Sequence, residues 1–167
     1  DSLEVFLRQG SMCRHLASYE KNDDDVYMAE RIAYLEDKYH AVSVNIDQGY
    51  GTGIYSVGRN MGRSWHLVSF AGKPRDAYYA NKRAEMWGDM KEWIKSVGAL
   101  PDDEELRDDL TGPEAFVNGS GKLQLESKAD MKKRGLASPN KADALALTFA
   151  FPVRASPRAR RAAMCNT

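Results

Sequence analysis

The final third of the chain constrains the fold most, because residues 138–150 have the composition of a closely packed helix that carries one acid. Pro139 suits a first helical turn, where its missing N–H costs nothing, and Ser138 before it is a good helix cap. The residues that follow are mostly alanine and leucine, which lets a helix lie close to a sheet. Asp143 stands among them. Because a carboxylate is costly to bury without a partner or a metal, this helix is a candidate site.

A second acid ends a predicted strand. Residues 41–47 alternate between apolar and polar side chains, and Asp47 is followed by the glycine-rich run QGYGTG. Open α/β sheets place their ligand sites at the carboxyl ends of strands, and glycines let the backbone approach a ligand closely. If Asp47 and Asp143 come together, they make a site for Mg²⁺ or Mn²⁺, since hard cations prefer oxygen ligands.

The order of predicted elements is that of an α/β domain in which an antiparallel hairpin precedes parallel strands. Residues 2–9 and 12–19 alternate as two strands around a turn at residues 10–11. The remaining predictions are helices over residues 26–39, 51–58, 76–97 and 102–110, strands over 41–47 and 64–70, a hairpin from 116–118 and 122–126, and two closing helices. A chain of 167 residues suits one domain, which we place at residues 1–153. The basic residues 154–167 are expected to form a flexible tail.

Three stretches follow one another in the order of a known family: VNIDQGYGTGIYS, YYANKRAEMWGDMKEWI and LESKADMKKRGLASPNKADALALTFA. They resemble the C-terminal nuclease domain of the large terminase subunit of tailed phages and prophages, over roughly residues 1–153. The resemblance implies an RNase H-like fold, with a mixed sheet of antiparallel hairpin strands and then parallel strands, flanked by helices. It also implies a metal-dependent endonuclease that cuts double-stranded concatemeric DNA during viral genome packaging.

The resemblance also assigns the site. It implies that Asp47 and Asp143 are catalytic and bind two Mg²⁺ or Mn²⁺ ions for phosphodiester hydrolysis, with Asp1 and Asn140 as further candidate ligands. The leading aspartate of the family's first strand is expected ahead of residue 1. Where the family often has aspartate, this chain has Asn140, whose amide oxygen is a weaker ligand than a carboxylate. We therefore expect weaker cutting from the chain as it stands.

The net charge is zero and the sequence pI is about 7.0, so the overall charge does not indicate that the chain binds nucleic acid. A local basic run precedes the Asp143 helix, where it is a candidate for contacts to DNA phosphates, although such runs are also typical of solvated helix faces. Its members are Lys128, Lys132, Lys133 and Arg134. On the predicted helix over residues 76–97, Lys82 and Arg83 are expected to face DNA or the rest of a terminase.

By resemblance, the partners are double-stranded DNA, an ATPase domain expected ahead of residue 1, a portal and a small terminase subunit. The expected location is the host bacterial cytoplasm, in keeping with two cysteines that make no disulfide framework. No apolar run reaches the length of a membrane span, so no membrane partner is expected. A Walker loop with Lys-Ser or Lys-Thr is missing from the sequence, which argues against an isolated ATPase.

Simpler interpretations of both acids stay open. Asp47 could cap the next element, and Asp143 could pair with Lys141 or Arg134 on a solvated face. Two other functions also stay open: a nuclease similar to a Holliday-junction resolvase, and a non-catalytic domain that clamps DNA or docks on the portal.

Overall fold

Residues 2–153, the part of the chain that the computed structural model describes, alternate between strand pairs and helices. The strands are β1 Ser2–Gln9, β2 Met12–Glu20, β3 Asn45–Asp47, β4 His66–Val68, β5 Ala115–Val117 and β6 Leu123–Leu125. The helices are α1 Asp25–Tyr39, α2 Gln48–Asn60, α3 Lys82–Ser96, α4 Glu104–Thr111, α5 Lys128–Lys133 and α6 Asn140–Leu147. Asp1 and the predicted tail lie outside the described residues. No helix within residues 2–153 is long and apolar enough to cross a membrane.

The strands pair two by two. β1 and β2 are antiparallel, with an irregular register between Val5 and Phe6, and β5 and β6 form a second antiparallel pair. β3 and β4 are parallel, so that Asn45 stands opposite His66 and Asp47 opposite Val68. The predicted α/β order, with an antiparallel hairpin first and parallel strands after it, is confirmed.

Two apolar clusters lie on opposite faces of the strands. Helices α1 and α2 pack on one cluster, and α3, α4 and α6 pack on the other. Adjacent residues of β4 show the division, because Leu67 packs on the first cluster and Val68 on the second. β1 divides in the same way between Leu3 and Phe6. Strands that bury both faces therefore lie between two layers of helices.

Helix α3 begins six residues later than the predicted helix over residues 76–97. Asn81 caps it by accepting the N–H of Ala84, at 2.9 Å. Before this cap, the buried carboxylate of Glu85 accepts the N–H groups of Arg75 and Asp76, at 2.8 and 2.9 Å. These bonds hold the preceding segment as a loop, because they use backbone donors in a conformation that a helix excludes.

Three other element starts differ from the prediction. β3 begins at Asn45 and not at residue 41, and α2 follows it directly at Gln48, three residues before its predicted start. Ser138 does not cap α6: Pro139 holds the cap position and makes no side-chain bond. The free N–H groups of that first turn find their acceptor on another helix, as described below.

The close approach of α2 to the ring of Trp65 gives a test of this packing. A Cβ at Gly58 would clash with the Trp65 ring, so Gly58→Ala should lower the free energy of unfolding by about 1–3 kcal/mol. A Cβ at Gly53 of the same helix would meet only the end of the Asp25 side chain, which can turn away. Gly53→Ala should therefore stay within about 1 kcal/mol of the parent chain. Urea unfolding of both variants measures this, and equal losses would contradict the packing.

Candidate functional site

Asp47 and Asp143 line the same cavity. This cavity, of about 860 Å³, lies between β1 and β3, and Lys128 and Asn140 line it as well. β3 brings Asp47 to it at the carboxyl end of the strand, and the first turn of α6 brings Asp143. Residues 96 positions apart in sequence thus reach one opening, beside the basic side chain at the start of α5.

Asp143 is buried and fully bonded. Its Oδ1 accepts the Nε–H of Arg83 at 2.9 Å and the indole N–H of Trp87 at 2.8 Å. Its Oδ2 lies 3.1 Å from the Nζ of Lys128. Neither Lys141 nor Arg134 pairs with it: Lys141 binds acids of α4 at Asp103 and Glu105. The carboxylate is therefore a structural anchor as well as a candidate ligand.

Arg83 and Trp87 lie one turn apart on α3, which places both donors on one side of the Asp143 carboxylate. Arg83 is only 8% exposed and also donates to the backbone oxygen of Glu126, at 2.9 Å. Lys82 is buried too, with its Nζ 2.6 Å from Glu85. The expectation that Lys82 and Arg83 face DNA is therefore wrong. In the sequence, only the i, i+4 spacing of Arg83 and Trp87 hints at their joint role.

Asp47 is half-buried and has fewer partners. Its Oδ1 accepts the N–H of Gly49 at 3.0 Å, so it caps α2, and its Oδ2 accepts no hydrogen bond within residues 2–153. Burial raises the pKa of Asp47, and the charge of Asp143 adds to the rise, while the Gly49 N–H and Lys128 act against it. Capping and the predicted site role are compatible, because each would use a different oxygen.

The other predicted ligands and DNA contacts fall in different settings. Asn140 begins α6, and its Nδ2 lies 3.4 Å from the Oγ of Ser2. Arg134 is held by Glu126 through two bonds of 2.8 and 2.7 Å, and Lys133 pairs with Asp130. Lys132 is exposed and has no ion pair within the described residues. Of the basic run, Lys128 alone reaches the Asp143 carboxylate.

Asp109 supports the helix that carries Asp143, a role that the sequence did not reveal. From α4, its Oδ2 accepts the N–H groups of Lys141 and Ala142, at 2.8 and 3.3 Å, and so supplies the cap that α6 lacks. Burial raises the pKa of Asp109 to about 6, and the charges of Glu105 and Asp143 add to the rise. The first turn of α6, which carries Asp143, is thus fixed from α4.

The donor set fits a hard divalent cation in part. Among residues 2–153, Asp47 Oδ2 has no hydrogen-bond donor, and Asp143 Oδ2 contacts only cationic side chains, Lys128 and more distantly Arg83. Two cationic side chains therefore already lie close to the Asp143 carboxylate. Within residues 2–153, however, no group of three or more His, Cys, Asp or Glu side chains could hold a metal ion. The ligand roles of Asp47, Asp143, Asn140 and Asp1 stay predictions.

Solved structures of other proteins share this architecture. The nuclease domain of the large terminase subunit gp2 of bacterial virus Sf6 is 24% identical, with a TM-score of 0.71 over 87% of this chain and 80% of that one. The large terminase nuclease of thermophilic phage G20c has a TM-score of 0.61 at 14% identity, over 90% of this chain and 82% of that one. The chain has the fold of a terminase nuclease domain. The RNase H-like prediction is thereby confirmed. No family model matches the chain, and no curated protein does.

Alanine substitutions of Asp143 and Asp47 should lower the free energy of unfolding by different amounts. Asp143→Ala leaves the buried guanidinium of Arg83 unpaired, so the free energy of unfolding should fall by about 3–5 kcal/mol. Asp47→Ala removes a helix cap and should cost only about 1 kcal/mol. Urea unfolding at neutral pH measures both losses. Similar losses in the two variants would contradict the assigned contacts.

Asp109 should give stability a characteristic pH dependence. Its pKa is about 6 in the folded chain and near 3.8 in an unfolded one, so the folded state binds the proton more tightly. The contribution of protonated Asp109 to the free energy of unfolding is complete below pH 3.8 and is lost as pH rises towards 6. As pH rises from 3.8 to 6, the Tm of the parent chain should therefore fall relative to the Tm of Asp109→Asn. A difference that stays constant with pH would contradict the raised pKa.

Proposed function

We propose that this chain is a metal-dependent endonuclease domain that cuts double-stranded DNA during viral genome packaging. The observation that supports this most is the convergence of Asp47 and Asp143 on one cavity, in a fold shared with terminase nuclease domains. Carboxylates that line one cavity can hold the divalent cations with which two-metal sites hydrolyse phosphodiesters.

The residues around the cavity have different roles in the proposed site. Arg83 and Trp87 hold Oδ1 of Asp143, which fixes the carboxylate and leaves its second oxygen towards Lys128. Asp47 uses one oxygen to cap α2 and keeps the other for a ligand. Lys128 lies beside both acids, and its ammonium group can neutralise developing negative charge on a phosphate in the cavity.

Mg²⁺ or Mn²⁺ would be held by Asp47 and Asp143, with Asn140 as a further oxygen donor and Asp1 as a candidate. At this position, such ions would supply Lewis-acid chemistry, that is, a more acidic water molecule and a countercharge for the leaving oxygen. Support comes from the uncompensated oxygen of Asp47 and from the neighbours, since variants of the Sf6 gp2 domain have been solved with manganese and with calcium.

DNA would approach along α5. Lys132 and Lys133 are exposed there beside Lys128, so they can contact phosphates without sequence preference, while Arg134 is held mainly by Glu126. The partners proposed on the basis of the fold are the terminase ATPase domain, the portal and the small terminase subunit, in the cytoplasm of a bacterial host.

A second candidate is a DNA clamp or portal-docking domain without catalysis. It is favoured by the saturation of Asp143, whose oxygens already meet Arg83, Trp87 and Lys128. In this case DNA binding would persist without any divalent cation, and both acids would serve only stability.

A plasmid-nicking assay with Mn²⁺, Mg²⁺ or EDTA tests the nuclease proposal, on this chain and on the same chain extended upstream through a first-strand aspartate. We expect cation-dependent cutting, strongest in the extended chain, and its loss in Asp47→Asn. Asp108→Asn, an exposed acid on α4, is the matched control and should cut normally. If neither chain cuts DNA and both still bind it, the nuclease proposal is wrong and the DNA-clamp function is favoured.

The DNA path along α5 predicts a change in salt dependence. Lys132→Ala and Lys133→Ala should each reduce the slope of log K against log salt by about 0.9 for a duplex, because each removes one phosphate contact. Lys91→Ala, an exposed lysine on α3, is the control and should leave the slope unchanged. Fluorescence anisotropy from 50 to 200 mM salt measures the slopes. Equal slopes for all three variants would show that DNA does not contact α5.

A further inference from the structure

Helix α1 presents tyrosines and basic side chains in alternation on one side. Its members follow one another at helical spacing, which places them in a row: Tyr27, Arg31, Tyr34 and Lys38. Tyr27 and Tyr34 are 47% and 50% exposed, so both rings lie at the surface and not in the core. The row extends for about 16 Å along the helix. Large rings left open side by side on a packed domain indicate a binding surface.

Each basic side chain of the row lies against a ring. The guanidinium carbon of Arg31 is 5.2 Å from the centre of the Tyr34 ring, and Nζ of Lys38 is 5.7 Å from the same centre. Lys38 also lies 5.4 Å from the ring centre of Tyr39, which has Arg14 of β2 at 5.1 Å. At these cation–π distances, the rings hold the charges in place. We define the tyrosine strip as Arg14, Tyr27, Arg31, Tyr34, Lys38 and Tyr39.

The positive charge of the tyrosine strip is available for a ligand. Within residues 2–153, none of its basic side chains forms an ion pair with a carboxylate. The acids of α1 are engaged elsewhere. Glu36 and Asp37 accept bonds from Arg63, at 3.2 and 2.8 Å, and Asp25 lies against α2. Glu30 lies two turns before Asp37 and therefore on the same side of the helix as Asp37.

The chemistry of the strip indicates the class of its ligand. Cations without an acidic partner attract the phosphates of a nucleic acid, and exposed rings offer surfaces on which bases can stack. A duplex would contact the cations through its phosphates, but its bases are already stacked inside, so the rings would stay unused. A single strand offers phosphates and unstacked bases together, and it therefore uses both features of the strip.

We propose that the tyrosine strip binds single-stranded nucleic acid, with bases stacked on Tyr27 and Tyr34 and with phosphates bound by Arg31 and Lys38. Because every base has a flat face and every nucleotide a phosphate, this binding has little sequence preference. None of these four residues lines the cavity of the two acids. The proposal is therefore independent of whether the chain cuts DNA.

Fluorescence anisotropy in EDTA, which prevents cation-dependent cutting, tests the stacking. The probes are oligothymidylate and oligouridylate of about 12 nucleotides, which tell DNA from RNA as the preferred strand, and a DNA duplex of the same length. Tyr34→Ala should weaken binding of the preferred single strand by about fivefold or more and leave duplex binding unchanged. Tyr34→Phe keeps the ring and should bind as the parent chain does. Tyr78→Ala removes a tyrosine that is 55% exposed ahead of α3, and it is the matched control.

The charges and the position of the strand are tested separately. Arg31→Ala and Lys38→Ala should each reduce the slope of log K against log salt by about 0.7 for a single strand. An oligonucleotide that carries iodouracil should photocrosslink to the tryptic peptide of residues 32–38, which contains Tyr34.

Three results would overturn the proposal. The first is a parent chain that binds neither single strand. The second is a folded Tyr34→Ala variant that binds the single strand as the parent does, with crosslinks outside α1 alone. The third is an equal loss of single-strand and duplex binding in Tyr34→Ala, which would assign the strip to duplex DNA.

Discussion

The buried contact between Arg83 and Asp143 is the interaction on which the rest of the site depends. A guanidinium and a carboxylate without partners would each be costly at this depth, so each makes the other tolerable. The indole of Trp87 adds a neutral donor to the same oxygen. As a result, α3 and α6 are locked together beside the cavity, and the Asp143 carboxylate keeps one orientation.

Around that contact, polar groups are satisfied by neighbouring elements and not locally. α6 has no cap of its own, and Asp109 of α4 accepts its first N–H groups. The loop before α3 is held by Glu85. Such long-range bonds fix Asp143, whereas Asp47 Oδ1 caps α2 and its Oδ2 accepts no hydrogen bond within residues 2–153. Under the proposed function, a firmly held acid beside a less constrained one suits a site for a cation and a phosphate.

Local signals in the sequence predicted much of this fold. Alternation placed β1 and β2 almost to the residue, and the acid at the end of β3 was evident from its glycine-rich continuation. The start of α3 and the cap of α6 were missed because both depend on side chains distant in sequence or space, Glu85 and Asp109. The pairing of Arg83 with Asp143, 60 residues apart, has no local signature, which is why Arg83 was expected at the surface.

The most direct test of the central claim is the anomalous scattering of manganese in crystals of the chain soaked with Mn²⁺. We expect a peak within coordination distance of Oδ2 of Asp47, next to Asp143, with Lys128 turned away from its present contact. A map without a peak there at saturating Mn²⁺, and with Lys128 still bound to Asp143, would contradict it.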